Sequence, residues 1–153
     1  MHKEQADSPN VKLPPPLMYA GAFAVGMLME RVLPLRRREA RVAGAALVAG
    51  GLAFGGWARL LFLRRGTTVL PFRPASALVA EGPFRISRNP IYVGFISIYI
   101  GGSLLRRSVW PLLLLPGVVF AIQKSVIDRE EAYLERRFGE KYLSYKSRVR
   151  RWL

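Results

Sequence analysis

Apolar residues fall into four runs along this chain, and prolines or arginines bound each run. The runs cover residues 17–35, 41–63, 91–105 and 109–122. The first two approach or exceed the roughly 20 residues that a helix needs to cross a bilayer, and the last two are shorter. Basic clusters at 36–38, 64–65 and 106–107 stand at the ends of the runs, where arginines meet lipid headgroups. The pattern predicts an all-α, polytopic membrane protein of one domain, residues 1–153, with about four transmembrane helices.

The last two apolar runs are separated only by Arg106, Arg107 and Ser108. So short a connection predicts a C-terminal helical hairpin. Pro116 lies inside the run 109–122 and is expected to kink that helix. In the second of the four runs, Gly51 and Gly55 form a GxxxG pair, which favours close approach of another helix, although glycine is also common filler in membrane helices.

After the hairpin, residues 124–138 show apolar positions at helical spacing. They are Val126, Ile127, Tyr133, Leu134 and Phe138. Glu130 falls in the middle of this stripe and Glu131 at its edge, whereas Glu135 and Glu140 read as solvated charges. A carboxylate on a buried face is costly unless it is paired or used, so Glu130 either forms an ion pair with Arg88 or Arg85 or has a function. The segment predicts a cytosolic amphipathic helix.

The polar connection 64–90 is the longest in the chain, and long connections are often functional. Gly82 and Pro83 predict a turn. Asn89 is expected to cap a helix that begins at Pro90, because proline is accepted in a first helical turn. The start of this helix, with Arg85 and Arg88 beside it, is suited to an anionic group.

The composition narrows the chemistry further. The formal net charge is +14 while 51% of residues are apolar, and the basic residues stand at the ends of apolar runs, so a membrane protein is indicated and nucleic-acid binding is not. There is no cysteine, and the single histidine is His2. A thiolate nucleophile, a histidine base and a metal site are therefore not expected.

Two separated motifs carry a resemblance to a known family. The first reads Gly82-Pro83-Phe84-Arg85-x-x-Arg88-Asn89-Pro90-x-Tyr92-x-Gly94, and the second reads Glu130-Glu131 followed by Phe138-Gly139-x-x-Tyr142-x-x-Tyr145. Together they resemble the isoprenylcysteine carboxyl methyltransferase and phospholipid methyltransferase group of integral membrane enzymes. The resemblance covers roughly the C-terminal half. It implies a methyltransferase that binds S-adenosylmethionine at the cytosolic side, between segments 64–90 and 124–153, and takes a lipophilic acceptor from the bilayer.

The resemblance also implies which side chains form the site. The implied cofactor contacts are Leu78, Val79, Gly82, Phe84, Asn89, Pro90, Ile91, Tyr92, Glu130 and Glu131. Arg88 and Arg129 are the implied catalytic candidates, with Arg129 only a stand-in for a family arginine whose position holds Val126 here. The family's Arg-His-Pro is Arg88-Asn89-Pro90 in this chain, so a role that needs an imidazole is absent.

These residue types suit the implied cofactor, whose methyl group is carried on a cationic sulfonium. A carboxylate accepts from its ribose diol or ammonium, an arginine or helix start receives its carboxylate, and aromatic faces contact adenine or the cation. The acceptor stays open among an isoprenylcysteine-like carboxylate, a phospholipid amine and a small hydrophobic molecule. A sterol-type NADPH-dependent reductase and a non-catalytic lipid-binding protein remain alternatives. The positive-inside rule favours both termini and the site on the cytosolic side, although the basic residues 36–41 and 106–107 then lie outside.

Overall fold

The computed structural model describes residues 13–35, 40–66 and 77–153, and all regular structure in these ranges is helical. This confirms the predicted all-α class. The helices are α1 (Pro15–Val32), α2 (Arg41–Arg64), a 3-10 turn (Gly82–Arg85), α3 (Pro90–Arg106), α4 (Trp110–Ile122), a π turn (Gln123–Ile127), α5 (Asp128–Phe138) and α6 (Glu140–Arg148). Each predicted apolar run corresponds to one helix, although α1 begins at Pro15, two residues before the predicted run 17–35, and ends at Val32, three residues before the end of that run.

Two of these helical stretches are long and apolar enough to cross a membrane. They are Arg41–Arg64 and the continuous stretch Trp110–Phe138, each with a mean hydropathy of 1.6 over its apolar part. Only 11% of the apolar part of Arg41–Arg64 is buried inside the protein, as expected of a helix that faces lipid. Pro90–Arg106 is apolar but shorter. Four membrane crossings therefore stay a prediction.

The sequence analysis treated the last apolar run, 109–122, and the amphipathic segment, 124–138, as two elements, and the structure joins them. α4 passes through the π turn directly into α5, which makes one helix of 29 residues. The Ser125 hydroxyl donates to the Ala121 carbonyl at 2.6 Å, at the start of the widened turn. π turns inside α-helices are frequent at functional sites.

Glycines bring α2 and α3 into close contact. A Cβ on Gly51 would lie 2.6 Å from the Gly94 carbonyl oxygen, and a Cβ on Gly94 would lie 2.8 Å from that of Gly51. Gly44 and Gly101 form a similar contact, at 3.0 and 2.6 Å. The predicted role of Gly51 in close helix packing is confirmed, and the partner face is supplied by the glycines of α3.

The helices run alternately up and down, so that the start of α1, the end of α2 and the start of α3 meet at one end. At the opposite end, the Trp110 indole donates to the Leu33 carbonyl at 2.7 Å, and Ser108 donates to Glu30 at 2.9 Å. α5 and α6 follow α4 at the first end. A buried cluster there joins α2, the loop before α3 and α6: Ala58, Val79, Phe84, Tyr142 and Tyr145.

Candidate functional site

A cavity of about 450 Å³ lies at the end where α1, α2 and α3 meet α5 and α6. One part of its wall is apolar and comes from α2 and α3. It includes Gly51, Leu52, Gly55, Gly56, Phe95 and Ile98. The other part carries polar groups from the loop before α3 and from α5. The volume falls within the roughly 300–1,000 Å³ of small-molecule sites, and one polar end against an apolar wall is their usual character.

Most of the residues that the sequence singled out line this one cavity. They are Leu78, Val79, Phe84, Arg88, Asn89, Pro90, Ile91, Tyr92, Glu130 and Glu131. The two motifs, some forty residues apart in sequence, therefore meet in space. Gly82 and Arg129 do not line the cavity.

Glu130 and Tyr92 form the polar centre of the cavity wall. The Tyr92 hydroxyl donates to the two Glu130 carboxylate oxygens at 3.0 and 3.2 Å. Glu130 lies in the charged part of the long helix, beyond its apolar segment. Burial raises the pKa of its carboxyl to about 7, the negative charge of Glu131 adds to the rise, and the Tyr92 hydrogen bond opposes it. A carboxyl with such a pKa ionises readily when a cationic ligand arrives.

The ion pair that the sequence suggested for Glu130 is formed by its neighbour. Arg88 Nη2 lies 3.0 Å from Glu131 Oε1, and Glu131 is only 5% exposed. Arg151 binds the same carboxylate from the other side. The alternative in which Glu130 pairs with Arg88 or Arg85 is therefore wrong, because Arg88 pairs with the adjacent Glu131. Glu131 was also expected at the edge of the apolar stripe and is instead fully buried.

Asn89 occupies the residue before α3 but does not cap the helix with its side chain. Its amide nitrogen donates instead to the Arg151 carbonyl at 3.1 Å. The predicted capping role is wrong, because a carbonyl from the end of the chain competes for the amide. The backbone N–H groups of Ile91 and Tyr92 lie in the first turn, where no carbonyl inside the helix can accept from them.

The two predicted residues outside the cavity have other surroundings. Gly82 has φ of 57°, and a Cβ there would meet Leu61 at 2.8 Å and Trp57 at 3.1 Å, so glycine allows the loop to turn against α2. Arg129 is exposed on α5. Glu135, expected to be a solvated charge, forms an ion pair with Lys146 of α6.

The cavity wall also contains residues that were not proposed as site residues. Tyr133, Tyr142 and Tyr145 contribute aromatic side chains, and Arg59 lies on the wall near the end of α2. The Tyr145 hydroxyl donates to the Phe84 carbonyl at 2.7 Å, which holds the loop against α6. Burial raises the pKa of both Tyr142 and Tyr145, so these hydroxyls are neutral donors at physiological pH. Both tyrosines belong to the second motif, so their spacing in that motif could have indicated them as site residues.

Comparison with known proteins identifies the family of this chain. The family described as phospholipid methyltransferase matches residues 40–141. Protein-S-isoprenylcysteine O-methyltransferase B of Arabidopsis thaliana is 33% identical over 72 residues, which cover 47% of this chain and 36% of that protein. Protein-S-isoprenylcysteine O-methyltransferase of Schizosaccharomyces pombe is 35% identical over 72 residues, covering 47% and 30%. No solved structure matches.

An uncharacterized protein of Haemophilus influenzae is 40% identical over 57 residues, or 37% of this chain and 81% of that protein. The two named methyltransferases are matched over only about a third of their own lengths. The family match, in contrast, covers most of the present chain, from α2 to the start of α6. The described structure is thus an all-helical protein with two stretches long and apolar enough to cross a membrane. The chain belongs to the phospholipid methyltransferase family.

Proposed function

We propose that this protein transfers a methyl group from S-adenosylmethionine to a lipophilic acceptor at the membrane surface. The observation that carries the proposal is the cavity in which Glu130 and Tyr92 face the apolar wall of α2 and α3. A charged methyl donor and an apolar acceptor need such a site, with one polar side and one apolar side.

The polar part of the cavity fits the donor. Glu130 would accept from its ribose hydroxyls or ammonium, since this carboxylate has a hydrogen bond from Tyr92 but no ion pair within the described chain. The first-turn N–H groups of Ile91 and Tyr92 would receive its carboxylate at the positive end of α3. Phe84 and Tyr142 would provide aromatic faces for adenine or the sulfonium.

Arg88 was predicted as a catalytic side chain or as the receiver of this carboxylate, and its contacts support a different role. Its Nη1 donates to the carbonyls of Lys146 and Val149 at 3.0 and 3.1 Å, and its Nη2 to Glu131. Because both terminal nitrogens of Arg88 bind groups inside the protein, Arg88 would stabilise the wall of the cavity. The N–H groups at the start of α3 would then bind the ligand's carboxylate.

The apolar part of the cavity would take the acceptor. Gly55 and Gly56 leave the face of α2 open beside α3, and a Cβ at Gly56 would have no neighbour within 4 Å. Arg59, also on α2, contributes a charged side chain to this wall. A lipid chain lying along α2 would place its polar end toward Arg59 and Tyr92.

The donor supplies a methyl group on a positively charged sulfur, a good leaving group, so transfer is a displacement at carbon. Such a reaction needs alignment and exclusion of water more than a strong base. Phe84, Tyr142 and Tyr145 close the cavity from the side of α6 and would exclude water. Glu130 and Tyr92 would fix the donor's orientation relative to the apolar wall. No histidine is needed for these roles.

The membrane arrangement is also a proposal. With helices α1 to α4 crossing alternately, the start of α1, the loop before α3 and helices α5 and α6 lie on one side. We place that side toward the cytosol, because the donor is a soluble cytosolic metabolite and most basic residues of the described chain lie there.

The test is a transfer assay on purified protein in lipid nanodiscs with donor labelled on its methyl group. A prenylated cysteine, a phospholipid with a primary amine and a water-soluble thiol would be offered in parallel. The proposal expects label in the lipid-soluble products and little in the water-soluble one. Binding of NADPH without binding of S-adenosylmethionine would instead support a reductase, and binding of neither would support a non-catalytic lipid-binding protein.

A further inference from the structure

Residues 149–153 return across the loop that leads into α3, and we call this segment the strap. The Arg88 backbone N–H donates to the Arg150 carbonyl at 2.9 Å. The Ser87 hydroxyl and the Asn89 amide both donate to the Arg151 carbonyl at 3.1 Å. Three consecutive residues of the loop are thus bound by the strap, and Ser87 and Asn89 are buried beneath it.

The Arg151 side chain continues this attachment onto α5. Its Nε and Nη2 donate to the two oxygens of Glu131 at 3.1 and 2.7 Å, and its Nη1 lies 3.0 Å from Asp128. This two-point arrangement is the strong geometry between guanidinium and carboxylate. Arg88 binds the same carboxylate at 3.0 Å, so that two arginines share Glu131.

Glu130 has a different environment from its neighbour. The titratable and charged groups that face it are Tyr92 of α3, which donates to it, and Glu131 of its own helix, whose charge opposes its ionisation. No lysine or arginine of the described ranges forms an ion pair with Glu130. Within the described ranges no cation therefore balances a negative charge on Glu130, which leaves this carboxylate available to a cationic ligand.

We propose that Arg151 is a positioning residue of the site: together with Arg88 it neutralises Glu131 and anchors the strap, so that Glu130 remains the carboxylate offered to a cationic ligand. The identity of that ligand as S-adenosylmethionine rests on the proposed function. The neutralisation of Glu131 by Arg88 and Arg151 does not depend on which ligand binds.

The physical consequence of removing Arg151 follows from the proximity of the two carboxylates. Glu131 would keep one cation instead of two, and its less compensated charge would hold a proton on Glu130 up to higher pH. A protonated Glu130 no longer attracts a cation, so the affinity at neutral pH would fall. Removing the charge of Glu131 at the same time would cancel this effect, even though the strap would still lack its side-chain anchor.

The test compares Arg151→Ala, Arg151→Lys, the double variant Arg151→Ala/Glu131→Gln and the control Arg150→Ala. Arg150 is an exposed neighbour in the strap whose described hydrogen bond uses only its backbone carbonyl. Protonation of Glu130 would be followed without ligand by an infrared pH titration, with Glu130→Gln as the blank. Binding of S-adenosylmethionine would be measured separately by calorimetry at neutral pH, and circular dichroism would verify the helical fold of each variant.

We expect Arg151→Ala to raise the midpoint of Glu130 protonation by about one pH unit and to weaken ligand binding at pH 7 about fivefold, because the ionised fraction of Glu130 would fall from about one half to about one tenth. Arg151→Lys should fall between wild type and Arg151→Ala, because lysine keeps the charge but not the two-point contact. The double variant should return toward wild type in both measurements, and Arg150→Ala should match wild type.

An unchanged midpoint in Arg151→Ala, or a double variant as impaired as the single one, would overturn the proposal and leave Arg151 as an anchor of the strap alone. The infrared titration needs no ligand. If S-adenosylmethionine fails to bind even to wild type while the midpoints shift as expected, the proposed function fails and the positioning role of Arg151 stands.

Discussion

The hydroxyl of Tyr92 lies 3.0 and 3.2 Å from the two carboxylate oxygens of Glu130, which joins α3 to α5 across the cavity. Tyr92 and Glu130 come from the two sequence motifs, and their contact is where those motifs meet. This hydrogen bond also favours the ionised form of Glu130, against the effect of burial, because it donates to the charged carboxylate.

Tyr92→Phe should therefore weaken binding of the cationic donor while leaving the fold intact. The variant keeps the ring but loses the hydrogen bond that favours the ionised Glu130. The pKa of Glu130 should then rise further, and a rise of about one pKa unit would raise the dissociation constant at pH 7 about fivefold. Calorimetric titration measures it. Tyr99→Phe, on the same helix but outside the cavity, is the matched control, and equal losses in both variants would contradict a specific role for Tyr92.

Binding of the donor should also depend on pH. The carboxyl of Glu130 has a pKa raised to about 7, so lowering the pH through 7 protonates it and removes its attraction for a cation. The affinity should be about tenfold lower near pH 6 than near pH 8, because with a pKa of about 7 only about one tenth of the Glu130 carboxyls are ionised at pH 6, against about nine tenths at pH 8. The same raised pKa means that the acid costs folding stability above pH 7 and none below its unfolded value. Glu130→Gln should abolish the pH dependence of binding, and its persistence would assign the titration to another group.

Asn89 provides a test of the contact between the loop and the strap. Asn89→Asp replaces an amide donor by a carboxylate that faces the Arg151 carbonyl, and a buried unsatisfied charge of this kind should cost at least about 1–3 kcal/mol of unfolding free energy. Asn89→Ser should cost less, since it removes the donor without adding a charge. Thermal or denaturant unfolding measures both. Equal stability of Asn89→Asp and wild type would show that the amide contact contributes nothing.

The contact between α2 and α3 can be tested with two neighbouring glycines. Gly51→Leu should destabilise the helix pair by about 1–3 kcal/mol or more, because its Cβ would already lie 2.6 Å from a carbonyl oxygen. Gly50→Leu adds the same side chain where no atom lies within 4 Å of the new Cβ. Unfolding in detergent by denaturant should separate the two variants. Similar losses would mean that close packing at Gly51 does not stabilise the fold.

The proposed orientation predicts which side of the membrane each end of the bundle faces. The chain has no cysteine, so Ala80→Cys near the cavity and Leu35→Cys at the opposite end can each be labelled alone. Both positions are exposed. In sealed vesicles of known orientation, a membrane-impermeant maleimide should reach Ala80→Cys from the cytosolic side, with protection by S-adenosylmethionine, and Leu35→Cys from the other side. Labelling of both from one side would rule out the alternating arrangement.

Local sequence patterns were sufficient for the helices, and the family resemblance carried by the two motifs implied most of the residues of the cavity wall. Apolar runs bounded by arginine and proline define α1 to α4, and the two motifs contain Phe84, Tyr92 and Glu130. The pattern could not assign the partners of the adjacent acids, because Glu130 and Glu131 both point into the protein and which one meets Arg88 depends on how α5 packs. The predicted pairing of Glu130 was wrong for this reason.

The strap shows a second limit of local reasoning. The contacts of Asn89 and Arg88 with residues 146–151 join positions about sixty residues apart, and no local pattern around Asn89 indicates that its amide serves a distant carbonyl instead of its own helix. The π turn at Gln123–Ile127 was also not predicted. A single extra residue per turn leaves the apolar spacing of so short a segment nearly unchanged.

The most direct test of the central claim is equilibrium binding of S-adenosylmethionine to wild type, Glu130→Gln and Glu140→Gln in nanodiscs at about pH 8, where the Glu130 carboxyl is largely ionised. Glu140 is an exposed acid outside the cavity, so its variant removes the same charge elsewhere. We expect wild type and Glu140→Gln to bind alike and Glu130→Gln to bind at least about tenfold more weakly, as loss of a charged hydrogen-bond acceptor requires. Equal affinity of Glu130→Gln and wild type, or no binding by wild type, would contradict the account.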